Sequence, residues 1–234
     1  MVEAAAGSGE RTTVVDSLLT DPAEQFVDLQ FSLQGYAVPL EYVDALWAEV
    51  RSILPWMEGD PLAGMHLLSG LSPGNGEWYL SRRSRLALRL ARQQADTASG
   101  ALSGANLQLG ANKIEIGAAN VRELTHTSVL YARFVTFSSI SPASLANEPV
   151  SEVDFLTICQ QQLAALDMAP RLICGKSQRA QTSAGTLNGF SLMLVGLGAD
   201  ATLKIQRHGL GDERKRGCGI FVPHKSMAAV GTLE

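Results

Sequence analysis

Val27-Asp28-Leu29-Gln30-Phe31-Ser32-Leu33 alternates apolar and polar residues without a break, the period of a strand that buries one face, and Gly35 closes it. The period then changes. Leu40, Val43, Leu46, Trp47, Val50, Ile53 and Leu54 share one face of a helix between Pro39 and Leu54, and Pro55 stops it. Residues 59 to 76 hold five Gly and two Pro, with Met65, Leu67 and Leu68 around His66, which predicts a loop entering a short strand and then a turn at Pro73-Gly74-Asn75-Gly76. Trp78 to Leu80 resumes extended structure, and Leu86, Leu88 and Leu90 alternate with Ala87, Arg89 and Ala91. A short helix over Asp96 to Leu102 and a hairpin through Leu107, Leu109, Ile114 and Ile116, turning at Ala111-Asn112, complete the series. Strand, helix, strand, strand, helix, strand is the ferredoxin-like order.

The second half repeats that order. Val129 to Phe137 reads as a strand, Ser139 to Pro149 as a polar loop, and Val153 to Leu166 as a helix with Phe155, Leu156, Cys159, Leu163 and Leu166 on one face. Leu172-Ile173-Cys174 begins a strand, Ser177 to Asn188 reads as a polar connection, and Gly189 to Gly196 as another strand. A helix over Ala199 to His208, a loop from 209 to 219 and a last strand Ile220-Phe221-Val222 follow. The expected fold is therefore α+β, two tandem ferredoxin-like (RRM-like) domains with a C-terminal glycine-rich loop. The expected division is a disordered acidic tail over 1–24, a first domain over 25–122 and a second over 123–234.

Net charge is -4 over 234 residues, but it is unevenly placed. Residues 1–77 hold 12 acids against Arg11 and Arg51, whereas residues 78–234 hold 17 Lys or Arg against 11 acids. A polyanion would be attracted to the second part and repelled by the first. No apolar run approaches the roughly 20 residues of a membrane span, and the basic-then-apolar order of a secretion signal is missing at the start, so the expected location is the cytoplasm with no membrane partner. Cys159, Cys174 and Cys218 lie far apart without C-x-x-C spacing, which argues against a disulfide framework or a structural zinc site.

Gly209-Leu210-Gly211-Asp212-Glu213-Arg214-Lys215-Arg216-Gly217-Cys218-Gly219 places four glycines around three consecutive cations. Glycines allow close backbone approach and cations attract phosphate; the same stretch would also serve as an irregular hairpin with a solvated tip. It lacks the G-x-x-x-x-G-K-[ST] pattern of a P-loop. Arg82, Arg83, Arg85, Arg89 and Arg92 form a second basic cluster with no acid among them, and Arg85 and Arg89 share a strand face suited either to phosphates or simply to solvent. Lys204 and Arg207 add charge on the preceding helix. Of four histidines, His66 sits where a side chain can project into a cleft, His208 ends a helix whose dipole would favour its charged form, and His126 and His224 flank core strands. Tyr36, Tyr42, Tyr79 and Tyr131 offer proton donors or stacking groups, or ordinary packing. No D-x-D or H-E-x-x-H motif occurs, so neither a metal nor another cofactor is expected.

The stretch from Phe190 to Lys225, with Leu197, Ile205-Gln206, Gly209-Leu210-Gly211, Arg214, Gly217-Cys218-Gly219-Ile220-Phe221 and Pro223-His224-Lys225, resembles the C-terminal signature of CRISPR repeat-processing endoribonucleases in the superfamily of repeat-associated RNA-binding proteins. Val27-Asp28-Leu29, Phe31, Leu33 and Gly35, with Ile53-Leu54-Pro55-Trp56 leading to Gly64-Met65-His66, look like the Myxococcus-type subtype. The resemblance implies a protein that binds the stem-loop repeat of precursor CRISPR RNA, cuts at its 3′ base, and keeps the mature guide within an effector complex; some members of the subtype accompany transposon-encoded partners. It implies His66 as general acid or base. It also places Arg214, Lys215 and Arg216 on RNA phosphates, within a loop whose Gly209, Gly211, Gly217 and Gly219 let RNA approach.

The expected chemistry is metal-independent. The RNA 2′-hydroxyl attacks the adjacent phosphorus, leaving a 2′,3′-cyclic phosphate and a 5′-hydroxyl, while the protein aligns the attack and moves two protons. The rival reading is a catalytically inactive repeat-binding or structural subunit of the same complex.

Overall fold

The alternation at residues 27–33 becomes β1 (Phe26–Gln34), with Val27, Leu29 and Phe31 buried on one face and Asp28, Gln30 and Ser32 on the other. The computed structural model describes residues 25–139, 150–183 and 185–224; the acidic tail over 1–24, nearly all of the expected polar loop before Pro149, and Lys225 lie outside these. After β1 come β2 (Ala37–Pro39), α1 (Tyr42–Ile53), α2 (Trp56–Gly59), β3 (Gly64–Met65), β4 (Ser72–Gly74), β5 (Glu77–Tyr79), β6 (Arg85–Ala91), α3 (Ala95–Leu102), β7 (Asn106–Leu109) and β8 (Asn112–Glu123). Then follow β9 (Val129–Thr136), α4 (Glu152–Ala164), β10 (Arg171–Thr182), β11 (Gly185–Val195), α5 (Ala199–His208) and β12 (Val222–Pro223).

These strands form a five-stranded sheet in the order β3-β6-β1-β8-β7, a four-stranded sheet in the order β10-β11-β9-β12, and a small sheet β2-β5-β4. Every pairing among the described residues is antiparallel. In both larger sheets the first strand is internal: β1 pairs with β6, just before α3, and with β8 after it, and β9 pairs with β11, just before α5, and with β12 after it.

Each sheet has its own apolar cluster, because helices cover only one face. Leu46, Trp47 and Val50 of α1, and Ala98 and Leu102 of α3, pack on Val27, Leu29 and Phe31. Phe155, Cys159 and Leu163 of α4, with Ile205 of α5, pack on Leu130, Ala132 and Leu192. Burying one such large side chain stabilises by roughly 1.5–3 kcal/mol. The opposite faces, which carry the polar positions of β1 and β9, line a cleft between the two halves.

Two expectations change. Ser177 to Asn188 is not a polar connection: β10 and β11 continue as a hairpin, with Ser177 opposite Phe190 and Thr182 opposite Gly185. Its side chains alternate between exposed and half-buried but are polar or small on both faces, so no hydrophobic period marks it in the sequence. The last strand is also shorter and later, Val222–Pro223 in place of 220–222, because Ile220 and Phe221 are used as buried packing.

Candidate active site

His66 follows β3, whose Gly64 and Met65 pair with Arg89 and Leu88 of β6, and the His66 main-chain N–H donates to Ala87 at 2.9 Å. Met65 points into the core, so alternation turns His66 toward the opposite face. On that face β1 presents Asp28, whose cross-strand neighbours are Arg89 on β6 and Arg122 on β8. Gly64 packs closely against the second half, where a Cβ would lie 2.9 Å from Ile220 Cδ1.

Asp28 is the hub. Arg89 donates from Nε and Nη2 to its two oxygens, each at 2.8 Å, and His66 Nε2 lies 3.0 Å from Oδ1. Burial alone would raise the Asp28 carboxyl, but His66 and Arg89 beside it hold it well below the usual carboxylate range. An ionised carboxylate only accepts hydrogen bonds, so the proton belongs on His66 Nε2. His66 Nδ1 has no hydrogen bond among the described residues. The imidazole is therefore oriented by one nitrogen and available at the other.

The cleft beside His66 has a volume of about 570 Å³. Asp28, Gln30 and His66 line one side and Tyr131 and Arg133 of β9 the other, with Arg122 at the rim. Tyr131 and Arg133 alternate with buried Leu130 and Ala132, which aims them away from their own core. A proton-transfer group, a phenol and two guanidinium groups facing one open cleft suit a reaction at a phosphodiester.

The glycine-rich loop grips the segment that carries His66. Arg214 Nε donates to Leu62 O at 3.2 Å, and Lys215 Nζ donates to the carbonyls of Asp60 and Ala63. Arg216 pairs with Asp44 and Glu213. On the far side of His66, Gly217 adopts φ +82°, and a Cβ there would lie 2.7 Å from Leu67 Cγ. The solvated basic tip that the sequence suggested is thus not what forms. Burial, with neighbouring Arg89, pushes Arg214 down to about 10, and burial, with Arg214, pushes Lys215 down to about 8.

A sequence model described as "Cas6 Crispr" matches residues 27–226. The chain belongs to the Cas6 family. It is 30% identical over 205 residues to the CRISPR-associated endonuclease Cas6 of Myxococcus xanthus, covering 88% of this chain and 84% of that protein. Among solved structures, a CRISPR-associated protein Cas6 has a TM-score of 0.64 at 11% identity, covering 86% of this chain and all of that one. A Cas6-related protein from Pyrococcus furiosus reaches 0.60 at 12% identity, covering 86% of this chain and all of that one. At these identities the Cas6 structures show the fold alone.

Within this Cas6 chain the remaining sequence-predicted residues scatter. Arg89 is a correction: it is not on an exposed arginine face with Arg85 but fully buried, its Nη1 donating to Gln206 O at 2.9 Å and Phe221 O at 2.6 Å. The second half covers that face of the sheet, which local sequence cannot reveal. Arg85 Nη1 donates to Arg82 O and Ser84 O, Arg92 pairs with Glu123, and Lys204 Nζ donates to Leu166 O at 3.0 Å. Arg207 lies over the Phe26 ring, 5.2 Å from its centroid. Arg82 and Arg83 stay exposed, their guanidinium groups without hydrogen bonds among the described residues. Gly209, Gly211 and Gly219 all have positive φ, and their close neighbours are protein main chain and the side chains of Arg214 and Phe137.

At His208, burial, then Arg207, Lys204 and Arg214, push the pKa below its usual value, against the expected pull of the helix end toward the charged form. His126 Nδ1 contacts Ala199 O at 3.1 Å, and the His224 ring lies 5.7 Å from that of Tyr131. Tyr42 is structural, its hydroxyl accepting from Leu68 N, and burial pushes it up to about 12. Burial likewise pushes the Cys159 thiol to about 12 and the Cys174 thiol to about 11, which leaves neither a thiolate nucleophile at neutral pH. Sequence reasoning missed Asp28, Arg122 and Arg133; the register of β1 between two arginine-bearing strands is the signal that finds the first two, and the alternation of Arg133 with buried Ala132 and Phe134 on β9 is the signal for the third.

Proposed function

We propose that this Cas6-family endoribonuclease binds the repeat of precursor CRISPR RNA across the cleft between its halves and cuts it by attack of the RNA's own 2′-hydroxyl. The 2′-oxygen forms a bond to phosphorus, the bond from phosphorus to the 5′-oxygen breaks, and a 2′,3′-cyclic phosphate and a 5′-hydroxyl result. His66 Nδ1 takes the proton from the 2′-hydroxyl, and the ionised Asp28 stabilises the imidazolium that forms. Arg122 offsets charge on the non-bridging oxygens, and the Tyr131 hydroxyl, which lines the same cleft, gives a proton to the departing 5′-oxygen and regains one from water.

The observation that carries this reading is the 3.0 Å contact of His66 Nε2 with Asp28 at a cleft flanked by Arg122 and Arg133, whose guanidinium groups have no hydrogen bond or ion pair among the described residues. The shared strand order of the two large sheets supports reading residues 25–122 and 123–234 as tandem ferredoxin-like domains. The mature guide is proposed to stay bound and to enter an effector complex with other CRISPR subunits, in the cytoplasm. Among the described residues no helix is long and apolar enough to cross a membrane.

Incubating labelled repeat RNA with the wild type in a metal chelator tests the chemistry. Cleavage with a 2′,3′-cyclic end supports it. Loss of cleavage in chelator refutes the metal-independent route.

A further inference from the structure

Beyond His66, the chain from Leu67 to Ser72 runs along two more concavities. The first, about 440 Å³, shares Leu67, Leu68, Ser69 and Arg133 with the His66 cleft. Its walls are Leu71 and Trp78 from the first half and Gln178, Arg179 and Leu187 from the β10–β11 hairpin. The second, about 450 Å³, shares Gly70 and Leu71 with the first and adds Ser81, Arg82 and Arg83. One groove therefore leads from His66 past an apolar pocket to the two exposed arginines.

Its charge pattern has a definite order. Arg133, exposed and without a hydrogen bond or ion pair among the described residues, stands where the His66 cleft meets the apolar pocket. Arg82 and Arg83 stand beyond the pocket. A cation, a mainly apolar hollow with an indole whose wall also carries Arg179 and Arg216, then further cations is how a single strand of nucleic acid is held: guanidinium groups meet phosphates while an aromatic face takes a base. A paired A-form stem cannot fill such a hollow, because its bases are stacked inside. We infer that this groove binds the single-stranded RNA adjoining the cut, with one unstacked nucleobase in the Trp78 pocket, Arg133 on the phosphate between that base and His66, and Arg82 and Arg83 on phosphates further along. The Gln178 carboxamide at the wall offers one donor and one acceptor to the base edge. The inference rests on the proposed function and adds where, and in what form, the substrate leaves the active cleft.

The test measures binding of repeat RNA made uncleavable by 2′-deoxy substitution at the cut, with the base removed from one nucleotide at a time on either side. The wild type is expected to lose roughly tenfold or more in affinity at one abasic position near the cut. Ala180→Trp, which fills the pocket from the hairpin, is expected to weaken binding of intact RNA similarly and to make that abasic position silent. Arg133→Gln changes an exposed residue that needs no repacking, and is expected to reduce the salt slope of binding by about one. Uniform tolerance of base removal in the wild type, or undiminished sensitivity in Ala180→Trp, overturns the groove while leaving the reaction at His66 in place. A wild type that neither binds nor cuts repeat RNA overturns both. A hollow that serves a protein partner instead would leave RNA affinity unchanged in Ala180→Trp and Arg133→Gln.

Discussion

His66 Nε2 and Asp28 Oδ1 lie 3.0 Å apart although they are 38 positions apart in the sequence, and Arg89 donates to both oxygens of the same carboxylate. The contact fixes which ring nitrogen faces the cleft. It also joins the reaction to the fold, since Arg89 goes on to bind main-chain oxygens of Gln206 and Phe221 in the second half.

Replacing Asp28 should therefore damage both. Asp28→Asn leaves buried Arg89 without its counter-charge and is expected to cost about 3–5 kcal/mol of stability. Urea unfolding at pH 7 measures this. The Asp28 carboxyl is depressed in the fold, so its stabilisation is present above the unfolded value near 3.9 and is lost as pH falls toward the lower folded value. The variant should accordingly lose less stability between pH 5 and pH 3 than the wild type does.

The loop contacts predict a separation between rate and affinity. Lys215→Ala removes the bonds to Asp60 and Ala63 that anchor the approach to His66. It is expected to lower kcat about tenfold or more while affinity for uncleavable repeat RNA stays within a few-fold, with Lys215→Arg partly restoring the rate. A loss confined to affinity would mean that this lysine meets phosphate instead.

Arg82→Ala with Arg83→Ala should behave in the opposite way. Both side chains are exposed, so the fold should tolerate their loss. Affinity should fall and the salt slope of binding should flatten by about two, one for each phosphate contact, while the single-turnover rate at saturating RNA is retained.

Gly209 sits at φ +70°, where a Cβ would lie 2.1 Å from Arg214 Nη1 and 2.3 Å from Gly219 O. Gly209→Ala should destabilise the protein by about 1–3 kcal/mol in thermal or urea unfolding. An unchanged melting temperature would show that the loop is looser than its contacts imply.

What the sequence made legible was governed by local periodicity. β1, α1 and the first half of β9 each bury one face, and their apolar residues announce it. Along the outer half of the β10–β11 hairpin the inward-facing Gln178, Ala180 and Thr182 are polar or small and only half-buried, so Ser177 to Thr182 read as loop. The site was legible only at His66, through its setting among glycines and prolines. Asp28 looked like an ordinary polar position because the surface that covers it arrives with Gln206 and Phe221, far along the chain. Arg214, Lys215 and Arg216 looked free for phosphate for the same reason: their acceptors lie at residues 44 to 63.

The most direct measurement is the single-turnover cleavage of labelled repeat RNA by the wild type and His66→Ala in chelator, with binding read in the same samples. The account predicts that His66→Ala loses about 10²-fold or more in rate while keeping its affinity within a few-fold. It also predicts that RNA carrying a 2′-deoxy nucleotide at the cut binds and stays whole. Cleavage by His66→Ala at the wild-type rate would contradict it.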